Sequence, residues 1–216
     1  MTEGSRSSAE PSPGAFPALG EEIAVAIEAH LRQRELRREE LYQKARRLRR
    51  LAQATMSRLH AERRVPEELV SVRGLLGELS DYLRREGRGD EPLALDALQE
   101  AVEASLLGAI VERVPLPGPS DLGVEPEPYL LGLGDVVGEV RRLVLDRLAH
   151  DDLSTAEGYL ALMEQLAETL LRFDTTRAIV QLKPKQDAAR ALLERTRGEL
   201  VMARYLARVP TAGARP

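Results

Sequence analysis

Leu98-Gln-Glu-Ala-Val-Glu-Ala104 and Gly134-Asp-Val-Val-Gly-Glu139 decide how the rest of the chain is read. Glu100 and Glu103 are spaced i,i+3, and Asp135 and Glu139 i,i+4, so on a helix each pair projects from one face. Their neighbours are Leu, Ala, Val and Gly, which makes each pair a narrow polar stripe on an apolar helix. Two such helices packed side by side gather four carboxylates. At a separation of ~6 Å, each like-charge pair costs about 2.8 kcal/mol at an effective dielectric of 20. Such a cluster keeps protons or binds a cation, and Mg²⁺ (or Mn²⁺ in its place) takes oxygen ligands of this kind. The spacing points to a metal-dependent phosphodiester hydrolase on a helical scaffold. Glu100, Glu103 and Asp135 are the expected ligands, and Glu139 completes the set or serves as a base. The bland alternative is that both stripes are wet faces of surface helices.

Working outward, the pattern is helical throughout. Residues 21–64 contain no Pro or Gly, and Leu36, Leu41, Leu48, Leu51, Thr55 and Leu59 recur at near-heptad spacing. One helix of roughly 60 Å is expected there. Pro66 should end it and open a second helix running to about Arg85, with Leu69, Val70, Leu75, Leu76, Leu79 and Leu83 on one side. Gly87 and Gly89 mark the next break. A third helix is expected over 91–114, a loop over 115–128 and a fourth helix over 129–149. Gly132, Gly134 and Gly138 in that fourth helix suggest close approach by another backbone or a ligand. Ser154-Thr-Ala-Glu157 has the form of a capping box opening a fifth helix that reaches about Asp174. A last helix is expected over 176–207, kinked or restarted at Pro184, with Leu192, Leu193, Thr196, Leu200 and Ala203 buried. No alternating strand pattern occurs. The expected fold is all-α, six or seven antiparallel helices with a long first one. It forms a single domain over 19–208 between a disordered tail (1–18) and a short C-terminal tail (209–216).

Composition narrows the chemistry. A hydrophobic content of 43% suffices for a core, and 31% charged residues suit long helices with wet faces. The absence of Cys excludes disulfides and thiolate metal sites. No G-x-S-x-G or P-loop pattern is present. No secretory signal or transmembrane run is visible, which points to a cytoplasmic protein with no membrane partner. Residues 32–64 hold eleven Arg and Lys44 against Glu35, Glu39, Glu40 and Glu62, a local +8 on a chain whose net charge is −4. A basic segment on an acidic protein suggests a polyanion partner. An Arg-rich solvated helix would look the same. His30, His60 and His150 have no evident catalytic setting, and His60 suits a structural role or an RNA contact better than metal ligation.

The two motifs, taken together, resemble the translin family, and within it the Trax-type subunit. Leu98–Ala104 is similar to the Trax segment L-Q-E-Y-V-E-A, and Tyr129-Leu-Leu-Gly-Leu-Gly-Asp-Val-Val-Gly-Glu139 to Y-L-L-G-V-A-D-L-T-G-E. The long basic segment ending in Leu59-His60 is also similar, and the resemblance spans roughly residues 30–206. It implies a seven-helix translin-like bundle that assembles as a homo-oligomer, an octameric shell with inward-facing acidic sites. It also implies Mg²⁺-dependent endoribonuclease activity on single-stranded RNA, with single-stranded DNA as a poorer substrate. The family's catalytic acids fall on Glu100, Glu103, Asp135 and Glu139. Translin's basic nucleic-acid segment is missing here, where the chain reads Glu91-Pro-Leu-Ala-Leu-Asp96. The grip on RNA is therefore expected from Arg46, Arg47, Arg49 and Arg50, with Lys183 and Lys185 as weaker candidates. Base stacking should be minor, since aromatics are 3% of the chain with no Trp. Arg142 and Asp146 read as salt-bridging residues beside the acids. The alternative is a non-catalytic shell, like translin, that binds single-stranded RNA or DNA.

Overall fold

The computed structural model describes residues 20–62, 64–86, 92–174 and 179–208, and among them every regular element is helical. The tails, Gly87 and Gly89 lie outside the described residues. The described residues form seven helices: α1 (Glu21–Glu62), α2 (Glu68–Glu86), α3 (Leu95–Glu112), α4 (Pro119–Leu122), α5 (Pro126–Ala149), α6 (Leu153–Leu171) and α7 (Lys183–Arg208). No helix among the described residues is long and apolar enough to cross a membrane.

The chain divides at Glu39/Glu40 into two compact units. In the first, the helical turns of α1 leave Ile23, Val25, Ile27, Leu31 and Leu36 exposed. Leu36 thus drops out of the stripe that the heptad spacing assigned to it. In the second unit Leu41, Ala45, Leu48, Ala52, Thr55 and Leu59 form a buried stripe on the rest of α1. In α2 the buried positions include Leu69, Val72, Leu76, Leu79 and Leu83 at helical spacing, with Ser80 and Tyr82 widening the buried face. Val70, expected among them, is 76% exposed, because it lies about 100° around the helix from Leu69. The middle of the core is α5, which packs on α3, α6 and α7, while α2 covers α3. Leu106, Leu107, Val136, Val137, Val140 and Met163 are buried there.

Four helix starts differ from expectation, each for a local reason. Helix α3 begins at Leu95, with Leu98 N–H donating to Ala94 O, and is preceded by a short 3₁₀ turn. Helix α5 begins at Pro126, three residues early. The first four N–H groups of a helix have no intrahelical partner, so Pro126 and Pro128 lose nothing there. The expected capping box at Ser154 is not used. Asp152 caps α6 instead, its Oδ1 accepting from Thr155 N at 3.1 Å. Helix α7 begins at Lys183, which places Pro184 in its first turn rather than at a kink. The stretch expected as loop before α5 also contains the one-turn α4, closed by Gly118 N–H donating to Asp121 Oδ2.

Candidate active site

Helices α3 and α5 bring the two acidic pairs together, and the contact depends on a missing side chain. A Cβ on Gly132 would stand 2.8 Å from Val102 Cγ1 and 2.9 Å from the Gln99 carbonyl oxygen of α3. Gly134 does the same on the other side of α5, where a Cβ would stand 2.8 Å from Lys185 Cβ of α7. Gly138 has only an ordinary neighbour, Leu192 at 3.8 Å, so close approach explains two of the three glycines.

Glu103 registers the convergence most strongly. Burial pushes its carboxyl up to about 8, and the charges of Asp135, Glu139 and Glu100 push the same way, against Lys185. The four acids therefore share one electrostatic site. Three of them have partners on other helices. Glu100 Oε1 accepts from Arg49 Nε at 2.9 Å and from Gln53 Nε2 at 3.1 Å, both on α1. Asp135 Oδ1 accepts from Lys185 Nζ at 2.5 Å, and its Oδ2 from Gln99 Nε2. His60 Nε2 of α1 stands 2.8 Å from Glu139 Oε2. That contact is close without being well aligned, for the same buried oxygen has no hydrogen-bond partner. Burial pushes the His60 imidazole down, with Arg142 adding and Glu139 opposing, so at pH 7 it is a neutral ring.

The donor chemistry suits a hard divalent cation. It is all carboxylate oxygen, it includes the unpartnered buried Glu139 Oε2, and burial together with the neighbouring acids keeps a proton on Glu103. In this arrangement no three acids or His among the described residues stand together as a ligand set. Arg49 and Lys185 each hold one carboxylate of the group.

The six basic candidates separate into three groups. Arg46, Arg47 and Arg50 are exposed on the side of α1 away from its buried stripe. Lys183 pairs along α7 with Asp187 at 2.6 Å. Arg49 and Lys185 belong to the acid site itself. Asp146 stands 3.8 Å from His150 Nδ1, one turn along α5. Sequence reasoning passed over Gln53, the placement of His60 and the pairing of Lys185. A signal for the α1 residues exists: at 100° per residue, Arg49, Gln53 and His60 fall within about 40° of one another, beside the apolar stripe.

Known structures share this architecture. The crystal structure of AfC3PO is 32% identical to the chain, over 86% of it and 98% of that chain, with a TM-score of 0.75. The chain belongs to the translin family. AfC3PO in a complex with duplex RNA gives 30% identity, 87% and 98% coverage and the same TM-score. Apo-NeC3PO, at 18% identity and TM-score 0.74, shares the fold. Among curated proteins, the uncharacterized protein MJ0175 of Methanocaldococcus jannaschii is 41% identical over 104 residues. That match spans about half of each chain, 48% of this one and 47% of the relative. No family model matches the chain.

Proposed function

We propose that this translin-family chain is a divalent-metal-dependent endoribonuclease, with Mg²⁺ as the resident ion and Mn²⁺ as a substitute. The observation that carries the reading is the under-neutralised acid group on α3 and α5, where Glu103 holds its proton up to about 8 and Glu139 Oε2 is buried without a hydrogen bond. Glu100, Glu103 and Asp135 would hold the ion. When bound, it supplies Lewis-acid activation of a water and of the phosphoryl oxygen. Glu139 accepts the proton of the attacking water, with the His60 ring standing 2.8 Å from its Oε2. Arg46, Arg47 and Arg50 contact phosphates along the strand, which makes binding sequence-independent and salt-sensitive.

The retained substrate class is RNA. The family resemblance implies single strands, whereas the relative AfC3PO has been captured with duplex RNA. The test therefore uses both: labelled single-stranded and duplex RNA, with Mg²⁺, Mn²⁺ or EDTA, for the wild type and Asp135→Asn. Metal-dependent cleavage that disappears in the variant is expected. Cleavage that survives Asp135→Asn rules out this site. An oligomeric shell, octameric in the implied form, agrees with the apolar side chains exposed on α7 (Val201, Met202, Tyr205, Leu206).

One observation favours a second reading, a shell that binds RNA or single-stranded DNA without cutting. Arg49 and Lys185 already neutralise Glu100 and Asp135 without any ion. RNA binding with no cleavage under any divalent ion would decide for it.

A further inference from the structure

We propose that Lys185 is a displaceable internal counter-cation of the acid site, closing Asp135 in the ion-free chain and turning to an RNA phosphate once a divalent ion takes that carboxylate. The inference rests on the nuclease reading and assigns a residue to it from a third helix. Three features place the ammonium there. Gly134 leaves room for the lysine stem, since a Cβ at that position would stand 2.8 Å from Lys185 Cβ and 3.1 Å from its Cγ. The start of α7 is fixed, because the buried Gln186 amide donates to Leu170 O in the last turn of α6, at 3.0 Å, and to Phe173 O just past the end of that helix, at 2.8 Å. Lys185 Nζ then reaches Asp135 Oδ1 at 2.5 Å, with both side chains about a quarter exposed.

The residue type matters as much as the place. The chain has 31 Lys and Arg, and only positions 44, 183 and 185 are Lys. Two turns further along α5, Arg141 makes a two-pronged bond to Glu199 of the same α7. A guanidinium suits a permanent clamp. An ammonium is a point charge on a flexible stem, with no fixed fork to lose when it lets go. A divalent ion on Asp135 repels it, and its three donors then suit the anionic oxygen of a phosphodiester, which the proposed reaction brings to the same place.

The test compares the full-length wild type with Lys185→Met, Lys185→Gln and Lys185→Arg. Mn²⁺ alone is titrated by calorimetry in the absence of RNA, and the KM and kcat for a labelled RNA are measured separately. Melting temperatures identify a variant that does not fold, and two neutral substitutions guard against losing one. The expected result is Mn²⁺ binding about tenfold tighter in Lys185→Met and Lys185→Gln, weaker in Lys185→Arg, and an RNA KM about tenfold higher in both neutral variants. Mn²⁺ affinity that is unchanged or weaker in the folded neutral variants overturns the proposal, as does an unchanged KM. Absence of Mn²⁺ binding in wild type and variants alike overturns it too. A wild type that cleaves no RNA sinks the nuclease reading instead, and the calorimetric comparison then judges Lys185 by itself.

Discussion

Two polar clusters on α5 meet neighbouring helices, and they are finished to different degrees. At Arg141 both terminal nitrogens and both Glu199 oxygens are matched. Nη1 donates to Thr196 Oγ1 at 2.7 Å and both terminal nitrogens reach Glu199, at 2.5 and 2.9 Å, while Thr196 donates on to Leu192 O. The guanidinium holds Glu199 below the ordinary carboxylate range. Around Asp135 four carboxylates meet Lys185, Arg49 and a neutral imidazole that also feels Arg142, and among the described residues Glu103 makes no ion pair and Glu139 Oε2 has no hydrogen-bond donor. Folding alone favours the first arrangement, since a half-satisfied buried polar network is worse than an apolar one. The open one persists where something outside the chain completes it.

Glu103 separates the two regions most sharply. Replacing it by Gln should reduce metal-dependent RNA cleavage by on the order of 100-fold or more, as loss of a group acting on the reacting centre does. The same change should stabilise the ion-free chain at alkaline pH. Its folded value of about 8 lies above the ordinary 4.5, so between those values the folded chain binds more protons than the unfolded one. Stability from this group is therefore complete below pH 4.5 and declines as pH rises to about 8, by at most about 1.4 kcal/mol per unit. Denaturant titrations at pH 5 and pH 8 should show the difference between wild type and Glu103→Gln growing with pH. Saturating Mg²⁺ should reverse the sign of the pH 8 difference. A difference that ignores both pH and ion would mean that Glu103 is an ordinary surface acid.

Arg141→Met should behave in the opposite way. Loss of the guanidinium strands Thr196 and Glu199, so a destabilisation of about 1–3 kcal/mol is expected. The melting shift produced by Mg²⁺ should be unchanged, because the clamp has no part in the acid site. If the Mg²⁺ shift falls with it, the two contacts are coupled through α7 and the contrast drawn above is too clean.

The fold was legible in the sequence, and the acid group nearly so. A Pro- and Gly-free run, three-to-four-residue apolar recurrence and proline punctuation are local signals, and helices are local structures. They recovered all six long helices and set Glu100, Glu103, Asp135 and Glu139 on two helices that pack together, α3 and α5, although no three of them stand as a ligand set among the described residues. What they missed lies between helices. That Arg49 belongs to Glu100, or Lys185 to Asp135, depends on how α1 and α7 turn about their axes, 51 and 50 residues away in sequence. On the same helix the main neutralising partner that local spacing offers is Arg142, one turn from Glu139. Gly132 and Gly134 were the best long-range hints, because a glycine that lowers helix propensity in a buried element needs a reason from outside it. Helix starts failed for a smaller cause. Asp152 and Ser154 are both good caps, and proline is tolerated throughout a first turn, so composition alone leaves the first residue open by a few positions.

The smallest expected effect comes from α1, on arginines that the structure leaves exposed. Arg46, Arg47 and Arg50 face away from the core, so replacing them should change melting temperature little. Their proposed work is on phosphate, where each lost contact lowers the slope of log affinity against log salt by about 0.7 for a single strand. Arg46→Gln/Arg50→Gln should therefore bind RNA more weakly at low salt and flatten the salt dependence by about one to one and a half units. Arg49→Gln tests the division within the same cluster. It removes the ion pair on Glu100, so its effect should appear in Mn²⁺ affinity more than in the salt slope. A salt slope that responds to Arg49 as strongly as to Arg46 and Arg50 would return Arg49 to the RNA-contacting face, and would mean that the pair with Glu100 opens when RNA binds.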